Sequence, residues 1–188
     1  MKRMLIPLGL LAMTAGASTQ NLLVNGDFSL SVPNSGFGNG WTGVNNDGAG
    51  GWRATGGNPG GSYILNWNGS SINPQLYQDV VLTVGQTYRI SGDYSRGNIG
   101  SFTTLDFGVE IDGNLWEYDI PNSTTWLSFS NEFVATTTNA RLLLTGERYG
   151  DDDPRVDNMV LEAVVPEPTT IAAVGLGFVA LLRKRRQG

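Results

Sequence analysis

Histidine and cysteine are both absent from the 188 residues. With neither imidazole nor thiolate, Ser–His and Cys–His nucleophilic devices are excluded, and the commonest general base and transition-metal ligand are missing. Carboxylates remain. Two of them across a cleft would suit a glycoside hydrolase. Sixteen acids lie between Ser18 and Val164, so accidental pairs are easy, and no compact signature such as two glutamates flanking an aspartate along one strand is present. The expectation is a non-enzyme, with a carboxylate-based glycoside hydrolase as one alternative. Gly150-Asp151-Asp152-Asp153-Pro154 concentrates three acids but lacks the spaced ligands of an EF-hand loop, and it reads as a solvated turn.

Recognition is the other chemistry available. A sugar ring stacks its C–H face on an aromatic side chain, while its hydroxyls need polar partners alongside. Trp116 and Tyr118 share one face of a strand. Trp67, Tyr77, Tyr94 and Tyr149 are further candidates, with Asn66, Gln78, Arg96 and Arg148 as hydrogen-bonding neighbours. Trp116 and Tyr118 read equally well as core, because Leu115 points opposite them together with the polar Glu117 and Asp119. Both readings stay open on the sequence.

Charge narrows the partners. Ser18 to Val164 holds six Lys and Arg against 16 Asp and Glu, a net charge of −10. Such a body repels nucleic acid and is compatible with neutral glycans or cations.

Both ends are basic and apolar. Lys2 and Arg3 precede the greasy run Leu5 to Met13, and Ala15-Gly16-Ala17 gives the A-x-A arrangement. Residues 1–17 read as a Sec signal peptide, forming a signal helix and cleaved after Ala17. At the other end, Pro166-Glu167-Pro168 is held extended and accessible by its prolines. An uncharged run, Ile171 to Leu182, follows, and then Arg183-Lys184-Arg185-Arg186. Such cations favour the cytoplasmic side of a bilayer. The run is shorter than the roughly 17–25 residues of a stable span, so a short transmembrane helix acting as a temporary anchor is expected. A permanent tail anchor or a buried hydrophobic tail is the alternative.

This order of parts, residues 165–188, resembles the PEP-CTERM sorting signal of Gram-negative bacteria. The resemblance implies recognition by an exosortase-type membrane transpeptidase, processing near Pro166-Glu167-Pro168, and export to the cell surface or extracellular polysaccharide.

The body, residues 18–164, must position whatever site exists. Glycine is abundant at 26, and Trp, Tyr and Phe total 18, a composition that favours all-β structure. Asn21 to Phe28 reads as a first short strand ending in a turn. Ser62 to Trp67, Leu76 to Leu82 and Thr87 to Tyr94 follow, the last with Tyr88, Ile90 and Tyr94 facing one way. Leu105-Asp106-Phe107-Gly108-Val109-Glu110-Ile111 alternates as a half-buried antiparallel strand does. Asp112-Gly113-Asn114 is a hairpin signal returning as Leu115 to Ile120. Trp126 to Thr136, Ala140 to Glu147 and Val156 to Ala163 complete an expected antiparallel β-sandwich, or jelly roll, of nine to ten strands.

Asn21-Leu22-Leu23-Val24-Asn25-Gly26-Asp27-Phe28, Val84-Gly85-Gln86-Thr87-Tyr88, Thr125-Trp126-Leu127-Ser128-Phe129-Ser130-Asn131-Glu132-Phe133 and Val156-Asp157-Asn158-Met159-Val160-Leu161 come in that order. Together they resemble the landmarks of galactose-binding-like jelly rolls, including carbohydrate-binding modules of the CenC type. The resemblance implies core positions for Trp41, Trp52 and Trp126. It also implies a structural Ca2+ on Asp157, with Asp27 standing in for the glutamate that Ser29 replaces. The other reading of Asp157 is a loop-capping hydrogen-bond acceptor. The expected protein is an exported, surface-sorted, non-catalytic module associated with extracellular polysaccharide or biofilm matrix. A structural or adhesive matrix protein that contacts other proteins is the second reading.

Overall fold

The computed structural model describes residues 20–30, 39–44, 51–65, 73–97, 104–146 and 153–165, within the unit Gln20–Val164. The terminal signals, with Ala15, Ala17, Pro166, Glu167, Pro168, Ile171 to Leu182, Arg183, Lys184, Arg185 and Arg186, lie outside the described residues. Among the described residues no helix is long and apolar enough to cross a membrane.

Ten strands are described: β1 Thr42–Val44, β2 Trp52–Gly57, β3 Gly60–Ile64, β4 Gln75–Val81, β5 Thr87–Arg96, β6 Thr104–Ile111, β7 Asn114–Pro121, β8 Leu127–Val134, β9 Asn139–Gly146 and β10 Pro154–Ala163. They form two five-stranded sheets, β1-β4-β9-β6-β7 and β2-β3-β10-β5-β8, whose strand pairs are antiparallel. This is the expected all-β sandwich.

Period-two alternation explains the layering. In β6, Leu105, Phe107, Val109 and Ile111 are fully buried, while Asp106 and Glu110 are exposed. In β5, Tyr88, Ile90 and Tyr94 turn inward, and Arg89, Ser91 and Asp93 turn outward. Asp112 and Gly113 take positive φ values of 51° and 78°, the conformation a two-residue hairpin turn needs. The chain then returns with Asn114 opposite Ile111.

The sheets meet through aromatic rings. Tyr94 of β5 lies 5.5 Å from Phe107 of β6 and 5.4 Å from Tyr118 of β7, centroid to centroid. Phe129 of β8 lies 5.2 Å from Tyr118 and 6.0 Å from Phe107. Each such pair contributes about 0.5–1.5 kcal/mol beyond its buried area.

Three sequence expectations need correction. Asn21 to Phe28 is not a strand. Asn25 and Phe28 adopt left-handed φ values of 53° and 46°, which interrupt a ladder. Side-chain amides take its place. Asn21 Oδ1 accepts from the Leu23 and Leu161 amides, and its Nδ2 donates to the Met159 carbonyl. Gln78 accepts from the Val24 amide at 2.8 Å and donates to the Val24 carbonyl at 3.0 Å. Gln78 is thus a structural clasp rather than a ligand neighbour. At Gly26 a Cβ would sit 2.0 Å from the Met159 carbonyl oxygen, so only glycine lets the segment close on β10.

Strand β2 went unread because Trp52-Arg53-Ala54-Thr55-Gly56-Gly57 has little alternation and its middle is exposed. In β7 the inward set is Trp116, Tyr118 and Ile120. Leu115 is 56% exposed and points out with Glu117 and Asp119.

Replacing Phe107 by alanine removes the ring that touches three others, and a loss of about 3–5 kcal/mol is expected. Leu115→Ala, at an exposed position, should change stability by no more than about 0.5 kcal/mol. Urea unfolding of both variants checks the assignment of inner and outer faces.

Candidate functional site

The outer face of the sheet β1-β4-β9-β6-β7 is assembled by register. Tyr77 stands between Thr42 of β1 and Leu143 of β9. Leu143 is followed across the sheet by Glu110 and then Leu115. The neighbouring row runs Val44, Gln75, Thr145, Gly108 and Glu117. Asp79 faces Arg141, and Asp106 faces Asp119.

Tyr77 is half-buried. The Arg141 guanidinium carbon lies 3.8 Å from the Tyr77 ring centroid. Arg141 Nε and Nη2 donate to the two Asp79 carboxylate oxygens at 2.7 and 3.0 Å. This hydrogen bond holds the Asp79 carboxyl below its ordinary pKa and raises that of Arg141. A stacked aromatic with polar groups in adjacent rows can offer one ring face to a sugar and bond its hydroxyls nearby.

The other expected ligand contacts fall elsewhere. Tyr94 is 7% exposed and belongs to the inter-sheet ring cluster, so the expectation that it meets a ligand is corrected. Arg96 is fully buried, donating to Asn122 Oδ1 at 3.0 Å and to the Ile120 carbonyl at 3.4 Å. It ties β5 to the end of β7 and presents no charge outward. Trp116 and Tyr118 pack against the core from the sheet edge, with Trp116 6.4 Å from Phe133 and the Tyr118 hydroxyl accepting from Asn131 Nδ2. Trp67, Tyr149 and Arg148 lie outside the described residues. Trp41 is buried, and Trp52 packs on the core while donating from its indole to the Phe28 carbonyl at 2.7 Å. Trp126 is half-buried. Arg141 and Asp79 were not anticipated. Their signal was weak, since they are 62 residues apart in sequence and only the β4–β9 register joins them.

Asp157 is fully buried on β10. Its Oδ2 accepts from the Asn58 amide at 2.5 Å and its Oδ1 from the Asn158 amide at 2.7 Å. Asp27 is exposed, and its Oδ1 accepts from the Ser29 amide and hydroxyl. Ca2+ requires six to eight oxygens. Among the described residues no group of three or more acidic side chains gathers to hold a metal, and both Asp157 oxygens already serve amides. Asp157 caps the β2–β3 turn through the Asn58 amide. Burial drives the Asp157 carboxyl above its ordinary 3.8, helped by the negative charges of Asp93 and Asp27 and opposed by the two amides.

A hydrolase needs one carboxyl with a raised pKa facing its substrate. Asp157, whose carboxyl is raised by burial, lies inside the fold. Asp79, Asp106, Glu110, Glu117 and Asp119 stand exposed on an open sheet, not across a cleft.

Two outcomes follow for Asp157. A raised folded-state pKa means the native protein binds the proton more tightly than the unfolded chain, so this stabilisation is lost as pH rises above 3.8. Asp157→Asn loses a hydrogen bond at every pH, but its stability relative to the parent should improve as pH rises from that value. A structural Ca2+ held at Asp157 would make chelator lower the thermal midpoint of the parent, whereas a cap alone leaves it unchanged. Thermal unfolding across pH, with and without added Ca2+, measures both.

Comparison with known proteins agrees with this architecture. Residues 164–186 match the model of the PEP-CTERM protein-sorting motif. No curated protein matches the chain. Among solved structures, the chain is similar to TmCBM61 in complex with β-1,4-galactotriose, at 16% identity and a TM-score of 0.59, covering 77% of this chain and 99% of that one. It is similar to a putative sugar-binding protein from Bacteroides thetaiotaomicron VPI-5482 at 13% identity and a TM-score of 0.52, covering 77% and 100%. The enzymatically active domain of bacteriophage CBA120 tailspike protein 4 matches at 13% identity and a TM-score of 0.52, covering 77% of this chain but 21% of that one. The chain therefore carries a PEP-CTERM protein-sorting motif behind a body with the jelly-roll fold of carbohydrate-binding modules.

Proposed function

We propose that this protein is exported, sorted to the cell surface, and binds carbohydrate there without catalysis. The observation that carries the reading is Tyr77, half-exposed on an uncovered sheet face and braced by Arg141 at 3.8 Å. Glu110 stands in the same cross-strand row, and Gln75, Thr145 and Glu117 in the adjoining one, as partners for hydroxyls. The fold shared with TmCBM61, which was solved with a galactotriose, supports a sugar ligand. Extracellular polysaccharide or biofilm matrix is where such a ligand would be met.

The sorting motif supports the route. The Sec machinery would take the chain across the inner membrane. Ile171 to Leu182 would hold it there briefly, and an exosortase-type transpeptidase would process it near Pro166-Glu167-Pro168. Arg183, Lys184, Arg185 and Arg186 would stay on the cytoplasmic side.

Two measurements test this. In affinity electrophoresis against neutral polysaccharides, the protein should be retarded, and Tyr77→Ala should weaken retention about tenfold, equivalent to about 1.4 kcal/mol. No retardation by any glycan would leave the adhesive reading, in which this face contacts proteins. Mass spectrometry of the exported protein should find Ser18 first and nothing from Ile171 onward; an intact tail would overturn the processing route.

A further inference from the structure

Arg141 is the one cation on the outer face of the β1-β4-β9-β6-β7 sheet among the described residues, against Asp79, Asp106, Glu110, Glu117 and Asp119. A guanidinium on a binding face would ordinarily recruit carboxylates or sulfates, because its fork matches them bidentately. Here the Nε–Nη2 side of the fork is already taken, and the positive charge is paired. Asp79 takes Nε and Nη2 at 2.7 and 3.0 Å, from the cross-strand position directly opposite. The same contact lays the guanidinium over the Tyr77 ring. Beside the stack, Asp79, Val81, Asn139 and Arg141 line a shallow open depression.

We propose that Asp79 sets the ligand class of this face. It cancels the charge of Arg141 and pins it flat, so that the platform is an uncharged phenol–guanidinium stack that admits neutral glycans and turns away glycans bearing uronates or sulfates. The inference rests on the sugar-binding reading above and adds to it a selectivity residue. Asp79 positions Arg141 and needs no contact with the ligand itself. Its side chain is 64% exposed, so its replacement leaves the core untouched.

The test compares the full chain with Asp79→Asn and Asp79→Glu by affinity electrophoresis in neutral β-1,4-galactan and in polygalacturonate. The parent should be retarded by galactan and not by polygalacturonate. Asp79→Asn frees the guanidinium fork, and retention on polygalacturonate should rise about tenfold. That gain should vanish at about 1 M salt, where the screening length is about 3 Å. Asp79→Glu keeps a carboxylate and should behave as the parent does. Retention of the parent by polygalacturonate, or an unchanged preference in Asp79→Asn, overturns the role of Asp79 while leaving sugar binding intact. Absence of retention on both polymers for all three proteins removes the sugar-binding reading and this inference with it.

Discussion

Ring packing between the two sheets is the contact on which everything else depends. No disulfide is available, since the chain has no cysteine, and the described body has no helix to cover a sheet. Cohesion must come from side chains that cross the gap. Tyr94, Phe107, Tyr118 and Phe129 supply it, each within van der Waals reach of the others. Because a strand alternates its faces, every ring committed to the gap fixes the outward direction of its neighbours. Phe107 inward sends Asp106 and Gly108 outward. Tyr118 inward sends Glu117 and Asp119 outward. The polar outer face is thus a by-product of the aromatic inner one.

That division explains why Tyr77 is the outward-facing ring among the described candidate aromatics. On β4, Leu76, Gln78 and Val80 face the interior, so Tyr77, Asp79 and Val81 face solvent. A tyrosine on the outer face of a β-sandwich with an arginine stacked on it is not part of the core. Asp79 and Arg141 add geometry at little cost, because both are exposed and already opposite in register. The surrounding acids give the face a negative field, which would repel anions as the proposed role of Asp79 requires. The sorting end and the proposed binding face sit on different parts of the chain and need not act at once. One chooses where the body goes, and the other what it holds there.

Local patterns made much of this legible. Leu105 to Ile111 alternates so cleanly that its strand, its faces and its hairpin at Asp112-Gly113 could be read directly. The terminal Pro-Glu-Pro arrangement was equally plain, because its parts are contiguous. Reading failed where long-range partners decide. Glu117 and Asp119 flank Tyr118 and leave the facing of β7 ambiguous in sequence, and Tyr94, Phe129 and Phe133 across the gap draw Trp116 and Tyr118 in. Tyr94 and Arg96 looked available until β7 and β8 closed over them. Asn21 to Phe28 has strand-like residues, yet Asn21 and Gln78 satisfy its backbone through side chains, a device invisible to periodicity. The cap that Asp157 makes was equally hidden, because the amide of Asn58 that it accepts from lies 99 residues away in sequence.

The central claim is that the outer face around Tyr77 is where this protein meets a glycan. Backbone amide shift mapping during titration with β-1,4-galactan oligosaccharides tests it most directly. The account predicts that perturbed amides cluster at Gln75 to Asp79, Arg141 to Thr145 and Gly108 to Glu110. Perturbations confined to Arg89, Ser91, Asp93 and Glu132 on the opposite sheet, with none around Tyr77, would contradict it.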